Sequence, residues 1–165
     1  MNAVDAALNS TRPRGREILA LAGWVAFSLT AAASGIFVST GGWYEELPEW
    51  NPPAWLFGPV WTTLYIMMGV AAWLVWKRGG WRERGGALAL FVAQWLLNAL
   101  RTPLFFGLRR PGLAFAEILL LWVAIAATMI AFWRVTKPAA FLLVPYLAWV
   151  TFAAVLNFTI WNLNR

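Results

Sequence analysis

The sequence predicts an all-α integral membrane protein, a single bundle of five transmembrane helices, on three observations. Of 165 residues, 61% are hydrophobic and only 12% are charged, and the mean hydropathy is +0.64. That leaves too little polar surface to cover a soluble globule of this size. Apolar stretches cover 18–38, 55–76, 86–106, 112–133 and 139–161. Each holds about 20 residues or more, enough at roughly 1.5 Å per residue to cross a hydrocarbon core about 30 Å thick. Membrane strands need only about 10 residues and alternate polar with apolar; these stretches do not alternate. The expected organisation is a polar tail over 1–17 and one membrane domain over 18–165.

The tail carries Arg12, Arg14 and Arg16 and looks at first like the front of a signal peptide. The apolar run behind it exceeds the roughly 7–15 residues of a signal core, so an uncleaved first helix is expected. Basic residues in short loops set orientation. The tail, the second loop (Lys77, Arg78, Arg82, Arg84) and the fourth (Arg134, Lys137) share one side. Arg109, Arg110 and Arg165 lie on the other, against Glu45, Glu46 and Glu49. The N-terminus is therefore expected on the basic, cytoplasm-like side and the C-terminus opposite. This distribution assigns the net charge of +6 to a lipid bilayer rather than to nucleic acid.

One connection is long: STGGWYEELPEWNPPAW, 39–55. Gly41 and Gly42 end the first helix, and Pro52 and Pro53 force an extended path. Its tryptophans fit an aromatic belt at the interface or a lid with rings turned over the mouth of the bundle. With 13 Trp in the chain, many at depths well inside the interface, the lid is favoured.

Helical spacing then picks out interior faces. Trp61, Tyr65 and Met68 share one on the second helix. Gln94, Asn98 and Arg101 form a polar stripe on the third, and Tyr146, Trp149, Ala153 and Asn157 one on the fifth. Polar stripes in membrane helices turn away from lipid. Pro59, Pro103 and Pro145 lie inside apolar runs, where they bend helices. Such stripes enclose a cavity or serve as interhelical glue; periodicity leaves the two even. Gly85, Ala89 and Ala93 form a small-xxx-small row, suited to a neighbouring helix of the same chain or of a second copy.

The chain has no cysteine and no histidine. Disulfides, thiolate chemistry and the usual haem and zinc ligands are thus absent from the sequence, and no metal site is expected. Nothing resembles a hydrolytic triad or a phosphate loop.

Three blocks, WYEELPEWNPPAWLFGPVWTTLY, LNALRTPLFFGLRR and PYLAWVTFAAVLNFTIWNLN, resemble the translocator protein family, TspO/MBR, called tryptophan-rich sensory protein in bacteria. The similarity runs from about residue 24 to residue 164. It implies a five-helix bundle, commonly a homodimer, with a pocket closed by the first loop. It also implies binding of tetrapyrroles such as protoporphyrin IX and haem, of sterols and of benzodiazepine-type ligands. The ligand-binding roles carry over to Trp50, Trp61, Tyr65, Asn98, Trp149 and Ala153. No cofactor is required; the tetrapyrrole is the ligand, held by ring stacking and its carboxylates. The family's sterol-associated pattern is incomplete here, with Phe158 where Tyr would stand.

The second departure is Arg101, where the family pattern has Trp. A charge at the bilayer centre costs about 3 kcal/mol on insertion scales, so it needs a partner, water or an exit. Counting from the turn near residue 109, Arg101 and Glu117 fall at similar depth, roughly 12 Å from it. Matching depth and opposite charge favour a structural ion pair. Arg101 snorkelling to the headgroups, or facing the pocket as an anchor for an anionic ligand, are the other readings. Binding, with transport or sensing, ranks first among functions. Light- or oxygen-dependent porphyrin degradation, using Trp50 and Trp149, ranks second, and a lipid-binding scaffold third.

Overall fold

Uninterrupted apolar sequence without partners for its backbone must satisfy its own hydrogen bonds, and helices do so within one segment. The computed structural model describes residues 14–33, 54–102 and 111–163. Helix α1 spans Arg14–Leu29 and tightens into a 3-10 turn at Thr30–Ala32. It is followed by α2 (Ala54–Trp76), α3 (Gly80–Thr102) and α4 (Pro111–Val135). Short α5 (Lys137–Leu142) and α6 (Val144–Leu163) complete the order. With α5 and α6 taken as one broken rod, the described residues form the five rods expected. Three of the described helical segments, Trp55–Trp76, Phe115–Val135 and Lys137–Thr159, are long and apolar enough to cross a membrane. The first loop, with Trp50, and the turn holding Pro103 and residue 109 lie outside the described residues.

A short helical turn from Gly80 precedes the third rod; non-helical Arg84 separates it from the continuous run that begins at Gly85, beside the expected residue 86. Gly79 (φ 140°) and Gly80 (φ 64°) take conformations that favour glycine, so the chain reverses in little space. The basic residue beyond them, Arg82, therefore lies in a helical turn instead of extending a loop. Arg84 sits at a kink (φ −119°, ψ 16°), and its Nε donates to the Arg78 carbonyl at 3.1 Å. Trp81 thereby leans back on Trp24 of α1, ring centroids 6.1 Å apart. Pro145 breaks the last rod as expected: lacking an N–H, it leaves Leu143 as the joint between α5 and α6. At Pro59, by contrast, α2 runs on as one helix.

The rods pack through aromatic and small residues. Phe27 of α1 stacks on Trp95 of α3 at 4.4 Å, and Phe91 of α3 on Phe132 of α4 at 6.0 Å. Met68, Ala71, Ala72 and Val75 of α2 are fully buried, together with Ile118, Leu121 and Ile125 of α4. Leu96, Leu100, Leu119, Leu120 and Val123 point outward, the surface a hydrocarbon solvent would cover. The row Gly85, Ala89 and Ala93 faces the same way: Ala89 and Ala93 are exposed, and a Cβ added at Gly85 would meet nothing within 4 Å. No described helix packs on it.

The tightest approach joins α1 to α2. A Cβ on Gly69 would lie 2.5 Å from the Cα of Val25 and 2.9 Å from the Trp24 carbonyl oxygen, both backbone atoms that cannot swing aside. Gly69→Ala should therefore lower the melting temperature in detergent, with an overpacking cost of roughly 1–3 kcal/mol. Gly23→Ala and Gly58→Ala, where an added Cβ meets nothing within 4 Å, should leave it unchanged. Equal melting temperatures for Gly69→Ala and the parent would show that the helices separate freely there.

Candidate functional site

The interior faces read from helical spacing converge. Trp61 and Tyr65, one turn apart on α2, stack at 5.5 Å with an interplanar angle of 29°. Tyr146 of α6 meets Trp61 edge-on at 6.2 Å and 72°. Two rings thus lie nearly parallel and a third closes against them, an arrangement favoured by ring quadrupoles. Lower on the same wall, Trp149 of α6 packs edge-on against Phe57 of α2 at 5.7 Å and beside Phe152 at 5.6 Å. Ala153, small and 6% exposed, continues this face. Indole area and small residues alternate along α6.

Polar groups thread this aromatic wall. Tyr146 Oη donates to Gln94 Oε1 of α3 at 3.0 Å, with both residues essentially inaccessible. Asn98, one turn further along α3, directs Nδ2 to Tyr65 Oη at 3.4 Å, a longer and weaker contact. Each bond ties α3 to a facing helix. Several polar atoms at the wall have no hydrogen-bond partner: Gln94 Nε2, Trp149 Nε1, Asn157 Oδ1 and both oxygens of Glu117. In a hydrocarbon solvent such groups are costly.

Arg101 ends the α3 stripe. It is half-buried, and its guanidinium carbon stands 5.6 Å from the centroid of the Trp61 ring, a cation–π contact. The direct ion pair expected with Glu117 is not made. Glu117 is buried on α4, yet neither carboxylate oxygen has a hydrogen-bond partner. Matching depth on antiparallel helices fixes distance along the axis but not rotation about it, and the indole face of Trp61 takes the guanidinium instead. Asn98 likewise spends its amide on Tyr65 rather than on Arg101.

Of the residues singled out from sequence, Trp61, Tyr65, Asn98 and Arg101 thus form one cluster. Trp149 and Ala153 flank it on α6, while Glu117 adjoins it without a bonded partner. Trp50 falls outside the described residues. Tyr146 and Gln94 share the closest polar bond in the cluster and were visible only as members of two separate stripes. Phe57, which covers Trp149, gave no signal in the sequence. Among the described residues, no three His, Cys, Asp or Glu side chains gather as a metal site. The arrangement suits a flat apolar ligand with an acidic edge: aromatic faces to stack on, a guanidinium beside them and free N–H donors. Tyr146→Phe strands Gln94 Oε1 and should cost about 1–3 kcal/mol, read as a fall in thermal midpoint in detergent. Tyr65→Phe, losing only the 3.4 Å contact, should cost clearly less; the reverse order would contradict this hierarchy.

Comparison with known proteins follows the same lines. The TspO/MBR family matches residues 18–162. The tryptophan-rich protein TspO of Chlorobaculum tepidum is 45% identical over 158 residues, covering 90% of this chain and 98% of that one. The tryptophan-rich sensory protein of Cereibacter sphaeroides is 42% identical over 149 residues, covering 86% and 92%. The human translocator protein is 46% identical over 127 residues, covering 74% and 75%.

Proposed function

The chain belongs to the TspO/MBR family, and from that premise we propose that its bundle binds tetrapyrroles, such as protoporphyrin IX and haem, against the Trp61–Tyr65–Tyr146 wall. The protein is an integral membrane protein. The observation that carries the reading is the guanidinium of Arg101 over the Trp61 ring with no carboxylate bonded to it. A porphyrin supplies what that arrangement lacks. Its macrocycle adds apolar area and a stacking face to the indoles, and a propionate accepts N–H groups from the planar guanidinium fork. Trp149 Nε1 and Gln94 Nε2, both unpartnered, supply further donors. Recognition rests on ring and carboxylates, since the sequence has no His or Cys to ligate iron.

The relatives' names describe translocation and sensing. Binding is the step both activities share, and it is the one the residues here address.

The test is a titration in darkness of the purified protein with protoporphyrin IX and with its dimethyl ester, which keeps the ring and removes both charges. Arg101→Gln should weaken the diacid by about tenfold, the worth of one charge-assisted hydrogen bond, and leave the ester unchanged. Trp149→Phe should weaken both. Equal affinity of the parent and Arg101→Gln for the diacid would remove Arg101 from the site. Failure of either porphyrin to bind the parent protein would overturn the tetrapyrrole reading.

A further inference from the structure

Glu117 is an acid for which the porphyrin reading finds no use. It is 7% exposed, and Asn157 of α6 is 3% exposed. Helices α4 and α6 run antiparallel, and two contacts set their register. Trp122 Nε1 donates to Thr151 Oγ1 at 2.9 Å, and the Phe115 and Phe158 rings lie 5.4 Å apart. Five residues back from Trp122 and five on from Thr151 brings Glu117 level with Leu156. Two residues in from the ring contact gives the same match. Asn157 is therefore Glu117's neighbour in depth, and both residues are buried on helices that pack directly against each other.

Three oxygens in this region have no donor: Glu117 Oε1, Glu117 Oε2 and Asn157 Oδ1. Arg101, on the packed helix α3, has its guanidinium over Trp61. A proton on Glu117, donated on to Asn157 Oδ1, would still leave one carboxyl oxygen bare. One carboxylate and one amide fall far short of the six to eight oxygens that a calcium ion takes. A primary ammonium offers three N–H donors and a positive charge, which matches three acceptors and one negative charge.

We propose that Glu117 and Asn157 form a subsite for a primary ammonium group carried by an apolar ligand. The subsite rests on the reading that the bundle interior binds apolar ligands, and it adds a second polar anchor to that of Arg101. The ammonium lies against the carboxylate as in a buried ion pair, where removal of one partner strands the other. With Arg101 taking a ligand's acid and Glu117 its amine, the interior holds an amphoteric ligand with no net charge left unpaired.

Three naphthalene probes of one shape separate these ideas at pH 7: 1-methylnaphthalene, 1-naphthylmethylamine and its N,N,N-trimethyl quaternary salt. Quenching of tryptophan fluorescence in detergent reports binding. The primary amine should bind roughly tenfold more tightly than the neutral probe. The quaternary salt, charged but without N–H donors, should lose most of that gain. In Glu117→Gln the amine and the neutral probe should bind alike. The comparison among probes in the parent protein needs no variant, so poor folding of Glu117→Gln leaves the test intact. Equal binding of amine and neutral probe in the parent, equal binding of amine and quaternary salt, or a preference that survives Glu117→Gln would each overturn the subsite. Absence of binding by the neutral probe would instead overturn the reading that the interior accepts apolar ligands.

Discussion

In a bundle whose outer surface is hydrocarbon, a polar side chain either finds its partner inside or remains bare, and that constraint organises this structure. The bond from Tyr146 to Gln94, 3.0 Å and fully buried, is the clearest case. It ties α6 to α3 at one point, where the two stripes face each other. Trp149 and Ala153 follow Tyr146 along one face, and Asn98 and Arg101 follow Gln94 along the other. Trp61 and Tyr65 then have two polar walls to meet. The same solvent that makes the bond worth keeping makes the groups left without partners expensive, and those are the groups that point to a ligand.

Much of this was legible in the sequence, for physical reasons. The second apolar run, 55–76, became Ala54–Trp76 because nothing within it stops a helix once lipid removes water as an alternative partner. Trp61 with Tyr65, and Asn98 with Arg101, share faces because a helix has a fixed period. Contacts that depend on rotation between helices could not be read this way. Arg101 and Glu117 match in depth and carry opposite charges, yet Trp61 takes the guanidinium. The short helical turn ahead of the Arg84 kink also escaped the pattern, since a run of basic residues reads as loop. Gly79 and Gly80 complete the reversal so quickly that Arg82 is already helical, ahead of the kink at Arg84.

Arg101 and Glu117 give this interior a polarity that an all-tryptophan wall would lack. A guanidinium with an aromatic face behind it and a carboxylate without a donor are two charges held near each other but unbonded. Either could be quenched by the other if the helices rotated. Packing prevents that: α3 is held to α1 by Phe27 on Trp95 and to α4 by Phe91 on Phe132. The aromatic contacts thus hold the two charged groups unbonded to each other.

The most direct measurement is an experimental structure of the protein with protoporphyrin IX bound. The account predicts a propionate within hydrogen-bond distance of the Arg101 guanidinium and the macrocycle against Trp61 and Trp149. A porphyrin lying instead on the outward face of α4, along Leu119, Leu120 and Val123, with its acids among the headgroups, would contradict it.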